Sequence, residues 1–410
     1  MITKPELLAP AGDLSKLKTA VDYGADAVYT GGEMFSLRTA CDNFSFKDMA
    51  IGVEYAHKQG VKVYLACNSF ARNRDIALLP DYVKKMAEIG VDACIVSDLG
   101  TLSVIREAVP DMNIHISTQA STSNYAACMQ WYKLGASRIV LSRELSLDEI
   151  TDIRRRIPAD LQLECFVHGA VCVSHSGRCL LSDYMTGRSA NRGDCAHACR
   201  WNYSLMEESR PGEFMPVYET DNGTFIMNSK DLNMIRHIPA MIMAGINSLK
   251  IEGRVKSEYY VASTVSAYRR AIDDCMDSLE KYENNLDSYY EDTCKVSHRE
   301  YYQGFYFGDP HSEGQQYGSA SYIRDWEVCA VVIGYDPIKR LTLCRQKNKI
   351  FAGELMETLS PGKPCRKFKP TVLLDFEGNP IDSTPHAHMQ FYMDIPVVLP
   401  TGSFIRKPVE

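Results

Sequence analysis

"ELLAPAGDLSKLKTAVDYGADAVYTGG", residues 6–32, places a helical segment between two short β-rich runs, 6–12 and 27–32. The helix is predicted to begin near Asp13, because an aspartate can accept a hydrogen bond from the free amides at a helix start. The same alternation continues along the chain, and helical segments separate most of the later runs. These runs are 61–68, 93–98, 113–121, 137–142, 161–169 and 248–253. Eight strands in βαβα order over about 280 residues predict an α/β fold, a closed (β/α)8 TIM-like barrel.

The spacing of the strands divides the chain into domains. Roughly 80 residues separate the seventh strand from the eighth, far more than a normal connection, so about 170–245 is predicted to be a Cys-rich insertion before the last strand. The barrel domain is then 1–282, and the charged, tyrosine-rich sequence at 283–317 is predicted to be a linker. After 318, short strands alternate with turn residues, which predicts a small C-terminal all-β barrel domain over 318–410.

Composition limits the classes of protein that fit. The 410 residues are 45% hydrophobic and 24% charged, which is typical of a globular protein, and the formal net charge is −7. No apolar run approaches the roughly 18–20 residues that span a bilayer, and the first residues lack the apolar core of a signal peptide. We therefore expect a cytoplasmic protein with no membrane partner. Its 14 cysteines should be reduced rather than joined in a disulfide framework.

One segment departs from the acidic balance of the chain. Between 339 and 369, nine basic residues stand against two acidic ones, Glu354 and Glu357. The basic residues are Lys339, Arg340, Arg345, Lys347, Lys349, Lys363, Arg366, Lys367 and Lys369. Such a concentration of positive charge can bind a phosphate backbone, although a solvated surface would have the same composition.

Alternation places polar side chains on one face of three barrel strands. The residues that share these faces are His115, Ser117 and Gln119, then Glu164 and His168, then Lys250, Glu252 and Arg254. The apolar faces must contact the outer helices, so the polar faces are predicted to point into the barrel, towards the C-terminal ends of the strands. Buried charges are costly unless paired, which predicts a catalytic or binding site there, with a buried ion-pair network as the alternative.

A second group of chemically active residues follows the seventh strand. The stretches "HGAVCVSHSGRC" (168–179) and "NRGDCAHACRW" (191–201) contain Cys172, Cys179, Cys195 and Cys199. A zinc ribbon uses two C-x2-C knuckles and this sequence has neither, so an iron–sulfur cluster fits at least as well as zinc. Free or catalytic thiols are a third alternative, although the chain lacks the H-E-x-x-H, G-x-S-x-G and P-loop motifs.

Motifs spread over residues 5–275 resemble one known family. Besides the opening stretch they are "SLRTACDNFS", "STQASTSN", "LSRELSLDEI", "ECFVHGAVCVSHSGRCLLS", "IMNSKDL" and "LKIEGRVKSEYYVA". In this order they are similar to the collagenase-like peptidase family of unknown catalytic type, number thirty-two. The combination of "NRGDCAHACRW", "RPGEF" and "IMNSKDL" resembles the branch of that family that hydroxylates tRNA and has a C-terminal β domain.

The resemblance implies a tRNA-modifying enzyme. Members of that branch add a hydroxyl group at C5 of the wobble uridine, in a reaction that depends on prephenate and an iron–sulfur cluster rather than on O2. Carried over by motif, the ligands of a 4Fe-4S cluster are Cys172, Cys179, Cys195 and Cys199. Many relatives have a cysteine after "KDL" where this chain has Asn233, which favours Cys199 as the fourth ligand over the weaker candidate Cys41.

For such an enzyme we expect the polar face of the barrel to carry the chemistry. The predicted catalytic residues are Glu164, His168, Lys250, Glu252 and Arg254, and the predicted substrate-binding residues are His115, Gln119 and Arg143. In this interpretation His168 moves protons near neutral pH, while Lys250 and Arg254 hold the carboxylates of a small dicarboxylic co-substrate. The alternatives are a collagenase-like peptidase and an RNA-binding module with structural zinc.

Overall fold

The computed structural model describes residues 3–36, 43–172, 174–175, 178–201, 205–206, 214–215, 219–220, 223–224, 229–314 and 322–409. In chain order the strands are β1 (Glu6–Pro10), β2 (Ala27–Thr30), β3 (Lys62–Cys67), β4 (Ala93–Val96), β5 (Asn113–Ile116), β6 (Ala136–Val140), β7 (Gln162–Ala170), β8 (Leu205–Met206), β9 (Phe214–Met215), β10 (Glu219–Thr220), β11 (Gly223–Thr224), β12 (Asp231–Asn233), β13 (Ser248–Ile251), β14 (Tyr301–Tyr302), β15 (Trp326–Asp336), β16 (Leu341–Gln346), β17 (Met356–Ser360), β18 (Lys363–Phe368), β19 (Leu373–Asp375), β20 (Gln390–Met393) and β21 (Phe404–Pro408). The α-helices are α1 (Leu14–Asp22), α2 (Phe46–His57), α3 (Asn73–Ile76), α4 (Leu79–Ile89), α5 (Leu99–Ala108), α6 (Tyr125–Lys133), α7 (Leu147–Arg156), α8 (Leu181–Thr186), α9 (Ile238–Met243), α10 (Glu258–Asp277), α11 (Leu279–Asn284) and α12 (Leu286–Cys294).

Eight of these strands form a closed parallel barrel. Strands β1 to β7 are hydrogen-bonded in chain order, and β13 pairs in parallel with both β7 and β1, which closes the ring. Helices between the strands cover the outside of the barrel, as in other folds of this type. The predicted (β/α)8 barrel is therefore confirmed, with the last strand separated from the seventh by the Cys-rich insertion.

Side-chain caps fix where helices begin after the strands. Asp13 accepts a hydrogen bond of 2.9 Å from the amide of Lys16, so α1 begins at Leu14, as the sequence predicts. Ser146 and Glu149 form a reciprocal capping box at the start of α7. A cap of this kind contributes about 1 kcal/mol to helix stability. No helix within the described residues is both long enough and apolar enough to cross a membrane.

The barrel has an outer and an inner layer of apolar packing. On the outside, the strands pack against the helices in one continuous core. The inner cluster consists of Leu8, Ala27, Tyr29, Tyr64, Ala93 and Ile95. Successive residues of a strand alternate between the two layers, so that on β1 Leu7 contributes to the outer core and Leu8 to the lumen.

Two short strands extend the barrel sheet beyond β7. Strand β12 runs antiparallel to β7, and β14 pairs in parallel with β12. Both β14 and helix α12, which packs against α10, lie within 283–317. The segment that the sequence predicts as a linker therefore contains regular structure that is packed against the side of the barrel.

Residues 322–409 form the predicted all-β domain. Its strands make one antiparallel sheet in the order β18-β17-β21-β15-β16-β20-β19, around a separate core that includes Cys344, Phe391 and Ile405. In the described residues the end strands β18 and β19 are not hydrogen-bonded to each other. The small all-β C-terminal domain that the sequence predicts is therefore present as one antiparallel sheet.

The basic residues between 339 and 369 are all exposed, but they lie in two groups. The first group, on and beside β16, is Lys339, Arg340, Arg345, Lys347 and Lys349, and the second, on and beside β18, is Lys363, Arg366, Lys367 and Lys369. Strands β17, β21 and β15 lie between β18 and β16. At about 4.8 Å per strand, the two groups are roughly 19 Å apart.

A buried ion-pair network joins the two domains. Arg406 of β21 has no exposed surface and pairs with Asp292 of α12 and, at 2.8 Å, with Glu357 of β17. Lys295 also pairs with Glu357, at 3.0 Å. Removal of one partner from a buried ion pair leaves an unpaired charge and costs about 3–5 kcal/mol. The network therefore fixes the β domain against α10 and α12 of the barrel domain.

Candidate functional site at the mouth of the barrel

Four charged side chains fill the lower part of the barrel lumen, the end away from the mouth at the C-terminal ends of the strands. Lys250 Nζ lies 2.7 Å from one carboxylate oxygen of Glu164, and Arg138 Nη1 lies 3.1 Å from the other. Arg138 also pairs with Glu6 of β1, at 2.5 Å. The side chain of Glu164 is completely buried, and those of Arg138 and Lys250 are each 5% exposed. Two cations and two anions are present, so the group is electrically balanced.

Burial and neighbouring charge set the ionisation of this network. Burial alone would raise the pKa of Glu6, but the charge and hydrogen bonds of Arg138 hold that pKa below its usual value. Burial acts to lower the pKa of Arg138, yet Glu164 and Glu6 raise it overall. The predicted catalytic residues Glu164 and Lys250 therefore lie together and neutralise each other, which is the ion-pair arrangement that the sequence left open. The site residues predicted from the sequence do not include Arg138 and Glu6, although the alternation of polar and apolar residues along β6 could have indicated Arg138.

His115 lies in the lumen, as alternation along β5 predicts. The centre of its ring is 4.7 Å from that of Tyr64, in an edge-to-face contact. Burial, together with the positive charges of Arg138 and Lys250, lowers the pKa of His115 well below its usual value. The ring is therefore neutral, and its buried Nδ1 has no hydrogen-bond partner among the described residues.

His168 does not point into the lumen, which corrects the sequence prediction. The pairing of β7 with β13 shifts its register, so that Phe166 lies beside Lys250 and His168 lies beside Ile251. Because Lys250 faces the lumen and Ile251 the outer core, the irregularity at Val167 turns His168 outwards. Strict alternation counted from Glu164 would place His168 on the lumen face of β7, which is wrong.

The surroundings of His168 also argue against a role in proton transfer near neutral pH. Its ring centre lies 5.3–6.0 Å from those of Tyr260, Tyr268 and Tyr301, on helix α10 and strand β14. Its side chain is completely buried, and this burial lowers the pKa of His168 to about 3. The residue is therefore a neutral part of the packing between β7 and α10.

Arg143 stands just after β6, at the mouth of the barrel. Its guanidinium lies 3.9 Å from the ring centre of Phe166, and its Nη1 donates a hydrogen bond of 2.8 Å to the carbonyl of Ala170. Glu252 Oε2 is 3.6 Å from Arg143 Nη2, beyond hydrogen-bond distance, so this ion pair is loose. A guanidinium held in position by ring stacking is well suited to binding a carboxylate.

Arg254 and Gln119 lie at the same end of the barrel. Arg254 is 4% exposed, and its Nη1 donates a hydrogen bond of 2.8 Å to Ser36 Oγ. The guanidinium of Arg254 fits beside residue 31 because that residue is glycine: a Cβ atom on residue 31 would lie 2.3 Å from Arg254 Nη1. Gln119 accepts a hydrogen bond of 2.8 Å from Asn68, which ties the loop after β5 to the loop after β3. Asn68 was not predicted as a site residue, although it directly follows a barrel strand.

The four cysteines of the insertion converge on one another. Burial raises the pKa of the Cys199 thiol, and the charge of Arg200 opposes this effect. Charge on the other three thiols raises the pKa of Cys199 further, and these are Cys172, Cys195 and Cys179. Such interactions weaken with distance, so the other three sulfur atoms lie in the neighbourhood of Cys199.

Backbone amides donate to two of these sulfur atoms. The amide of Leu181 lies 3.3 Å from Cys179 Sγ, and that of His197 lies 3.4 Å from Cys195 Sγ. Hydrogen bonds to sulfur are among the features by which a protein adjusts an iron–sulfur centre. Cys41, the weaker candidate for the fourth ligand, lies outside the described residues.

The insertion is anchored over the barrel mouth by arginines. Arg178 Nε donates to the carbonyl of Gln119 at 2.8 Å, and Arg192 Nη1 donates to that of Phe70 at 3.0 Å. Gln119 and Phe70 follow β5 and β3, so the contacts lie at the C-terminal ends of the strands. In barrels of this type that end holds the active site. The cysteines and Arg143 therefore share one end of the barrel.

The spacing of the sulfur atoms can be compared with that of a zinc site. A tetrahedral zinc ion with Zn–S bonds of about 2.3 Å holds its sulfur atoms about 3.8 Å apart. Among the described residues, the only three metal-binding side chains whose ligand atoms all lie within 4.8 Å of one another are Asp292, Glu357 and Cys365. That group already binds Arg406. No three sulfur atoms of the four cysteines, all of which are described, therefore lie within 4.8 Å of one another.

The barrel, the four-cysteine insertion and the appended β domain define the class of protein, and sequence profiles agree. The profile of Peptidase family U32 matches residues 12–316, and that of the Peptidase family U32 C-terminal domain matches residues 324–406. The chain therefore belongs to Peptidase family U32.

Three curated relatives are similar to this chain. "tRNA hydroxylation protein P1" of Bacillus subtilis is 39% identical over 385 residues, which covers 93% of this chain and 90% of the relative. "tRNA hydroxylation protein P" of Escherichia coli is 37% identical, covering 87% of this chain and 86% of the relative. "23S rRNA 5-hydroxycytidine C2501 synthase" of Escherichia coli is 38% identical over 65% of this chain and 39% of its own length.

Proposed function

We propose that this chain is an enzyme that hydroxylates tRNA at C5 of the wobble uridine. The observation that carries the proposal is its similarity, over 93% of its length, to a protein named for tRNA hydroxylation. A further relative is named as a synthase of 5-hydroxycytidine in 23S rRNA. Both names describe hydroxylation of RNA, and the second places the hydroxyl group on C5 of a pyrimidine.

The cysteine site would supply a redox centre for the proposed reaction. Replacing C–H by C–OH withdraws two electrons from the base, so the reaction requires an electron acceptor. Cys172, Cys179, Cys195 and Cys199 would hold a 4Fe-4S cluster, which when bound supplies one-electron transfer at the barrel mouth. Zinc has no redox chemistry, so the RNA-binding alternative with structural zinc would leave this step without a redox centre.

Arg143 and Arg254 are proposed to bind prephenate, a dicarboxylic co-substrate that takes the place of O2. Both follow barrel strands at the end of the barrel where the cysteines lie. The guanidinium of Arg143 stacks on Phe166, and its counter-ion Glu252 lies 3.6 Å away. Lys250 is less suited to this role, because Glu164 already neutralises it at 2.7 Å. His115 and Gln119 are proposed to contact the substrate from the lumen and the rim.

The two basic groups of the β domain are proposed to bind the phosphate backbone of tRNA. All nine residues are exposed, and the ion-pair network around Arg406 holds the domain against the barrel. Binding through phosphates releases counter-ions, so the affinity should fall steeply with salt.

Nucleoside analysis of tRNA tests the proposal. A strain that lacks this gene and has no paralogue should lose 5-hydroxyuridine and its derivatives, and the wild-type gene should restore them. A Cys199→Ser variant should fail to restore them, because a hydroxyl is a poor replacement for a thiolate ligand. The matched control is Cys128→Ser, at a fully buried cysteine of α6 outside the insertion.

Three results would contradict the proposal or one of its parts. Normal levels of the modified nucleoside in the deletion strain would exclude the activity. Release of peptides from gelatin by the pure protein, abolished by Cys199→Ser and retained in Cys128→Ser, would instead support the peptidase function that the family name describes. Stoichiometric zinc in protein purified without oxygen would contradict the cluster.

A further inference from the structure

Helix α8 turns its apolar side to the solvent. Leu180 and Tyr184, one helical turn apart, are 72% and 86% exposed, and Leu181 and Met185 are 37% and 39% exposed. The polar residue Ser182 is buried, with 2% exposed. Surface helices of globular proteins normally have the opposite arrangement. Adjoining exposed apolar side chains of this kind commonly mark a binding surface.

The polar side of α8 fixes the helix beside the cysteines. Ser182 Oγ donates a hydrogen bond of 2.8 Å to the carbonyl of Arg188 and accepts one of 2.9 Å from the amide of Ala196. The first residue of the helix, Leu181, donates its amide to Cys179 Sγ. The exposed side chains are therefore held in a defined position next to the sulfur atoms.

The charge around α8 is positive, unlike that of the whole chain. Residues 178–201 contain four arginines and two aspartates, and with Asp75, which pairs with Arg192 at 3.0 Å, this group still has one more positive than negative charge, whereas the protein has a net charge of −7. A second aromatic side chain, Trp201, is 43% exposed and lies two residues after Cys199. Exposed aromatic rings among arginines are what proteins use to bind unpaired bases of RNA. In a symmetric dimer the same positive patch would face itself, which disfavours a second copy as the occupant.

We propose that Leu180, Leu181, Tyr184 and Met185, the α8 face, bind the unpaired bases of an RNA loop. The ring of Tyr184 stacks on one of these bases, and the loop is thereby held at the cysteine end of the barrel. This inference rests on the proposed function for the identity of the RNA as tRNA. It adds the surface that receives the loop, which is separate from the basic groups proposed to bind the backbone.

Fluorescence anisotropy with two labelled RNAs tests the α8 face. One RNA is a hairpin with a single-stranded loop, and the other is a blunt duplex with the same number of phosphates. Tyr184→Ala should weaken hairpin binding by about 5- to 100-fold, the range expected for loss of one base–aromatic stack. Duplex binding should change by less than about twofold, because it depends on phosphate contacts. Tyr184→Phe keeps the ring and should bind the hairpin as the wild type does.

Met243→Ala is the matched control. Met243 is 74% exposed and ends α9 at the opposite end of the barrel, so its removal should not affect either RNA. An unchanged circular dichroism spectrum verifies that each variant is folded. Hairpin affinity unchanged in Tyr184→Ala, or an equal loss with the duplex, would overturn the proposal. A dimeric wild type that dissociates on the same substitution would identify a second copy as the occupant and also overturn it. Failure of the wild type to bind either RNA would count against the proposed function itself.

Discussion

Replacing Glu164 by leucine should destabilise the protein more than replacing Lys250 by methionine. Glu164→Leu leaves Lys250, 5% exposed, without the carboxylate that lies 2.7 Å away, whereas Arg138 keeps Glu6. Lys250→Met leaves no carboxylate isolated, because Glu164 retains Arg138 at 3.1 Å. We expect Glu164→Leu to cost about 3–5 kcal/mol, the usual cost of stranding one charge of a buried pair.

The magnitude can be converted into a melting temperature. A barrel domain of about 300 residues has an unfolding entropy of roughly 0.6 kcal/mol/K, so Glu164→Leu should lower Tm by about 5–8 °C. Differential scanning calorimetry at pH 7 measures this directly. The double variant Glu164→Leu/Lys250→Met removes the stranded charge and should melt above Glu164→Leu alone. A double variant that melts lower, or a Lys250→Met variant less stable than Glu164→Leu, would refute the ion-pair account of the lumen.

Three further predictions concern the metal site, His168 and the domain interface. Cys199→Ser should lose bound iron and the broad absorption at about 400 nm, whereas Cys128→Ser should keep both, as an iron assay on anaerobically purified protein would measure. The pKa of His168, about 3 in the folded protein, lies below the unfolded value of about 6.5, so the unfolded state gains a proton first and stability is lost as pH falls below about 6.5. Between pH 7 and pH 5 the free energy of unfolding of His168→Phe should therefore fall by roughly 2 kcal/mol less than that of the wild type. If the urea midpoints of the variant and the wild type change equally with pH, the prediction is contradicted. Arg406→Met should separate the unfolding of the β domain from that of the barrel in calorimetry, at a cost of about 3–5 kcal/mol, while the exposed control Arg340→Met should unfold as the wild type does.

The barrel could be predicted from the sequence because its signals are local. Each strand is a short β-rich run, and side chains such as Asp13 mark where a helix begins. The closure of the ring by β13 follows from the number and order of the strands rather than from any single residue. These are the parts of a fold that short-range patterns determine.

The direction in which the His168 side chain points could not be predicted, because a register shift between strands has no clear sequence signal. One irregularity at Val167 reverses the face of every residue that follows it on β7. The ion pair of Glu6 with Arg138 was missed for another reason. The two residues are 132 positions apart in the chain, and only closure of the barrel brings their strands together.

The basic segment illustrates the limit of counting charges along a chain. Between 339 and 369 the sequence suggests a single patch, but three strands separate its two halves on the sheet. In the sequence, β15 precedes both groups of basic residues and β17 lies between them, while β21 comes from the end of the chain. The spatial distribution of the charge therefore depends on sheet order, which the segment itself does not encode.

The charged network in the lower lumen has a consequence for the order of events. Because Glu6, Arg138, Glu164 and Lys250 occupy that end of the barrel, they block the passage of a small molecule through it. If a large nucleic acid covers the mouth of the barrel, the small reactant must already be inside. Kinetics with two substrates should then show compulsory addition, with the small molecule binding first and its product leaving last.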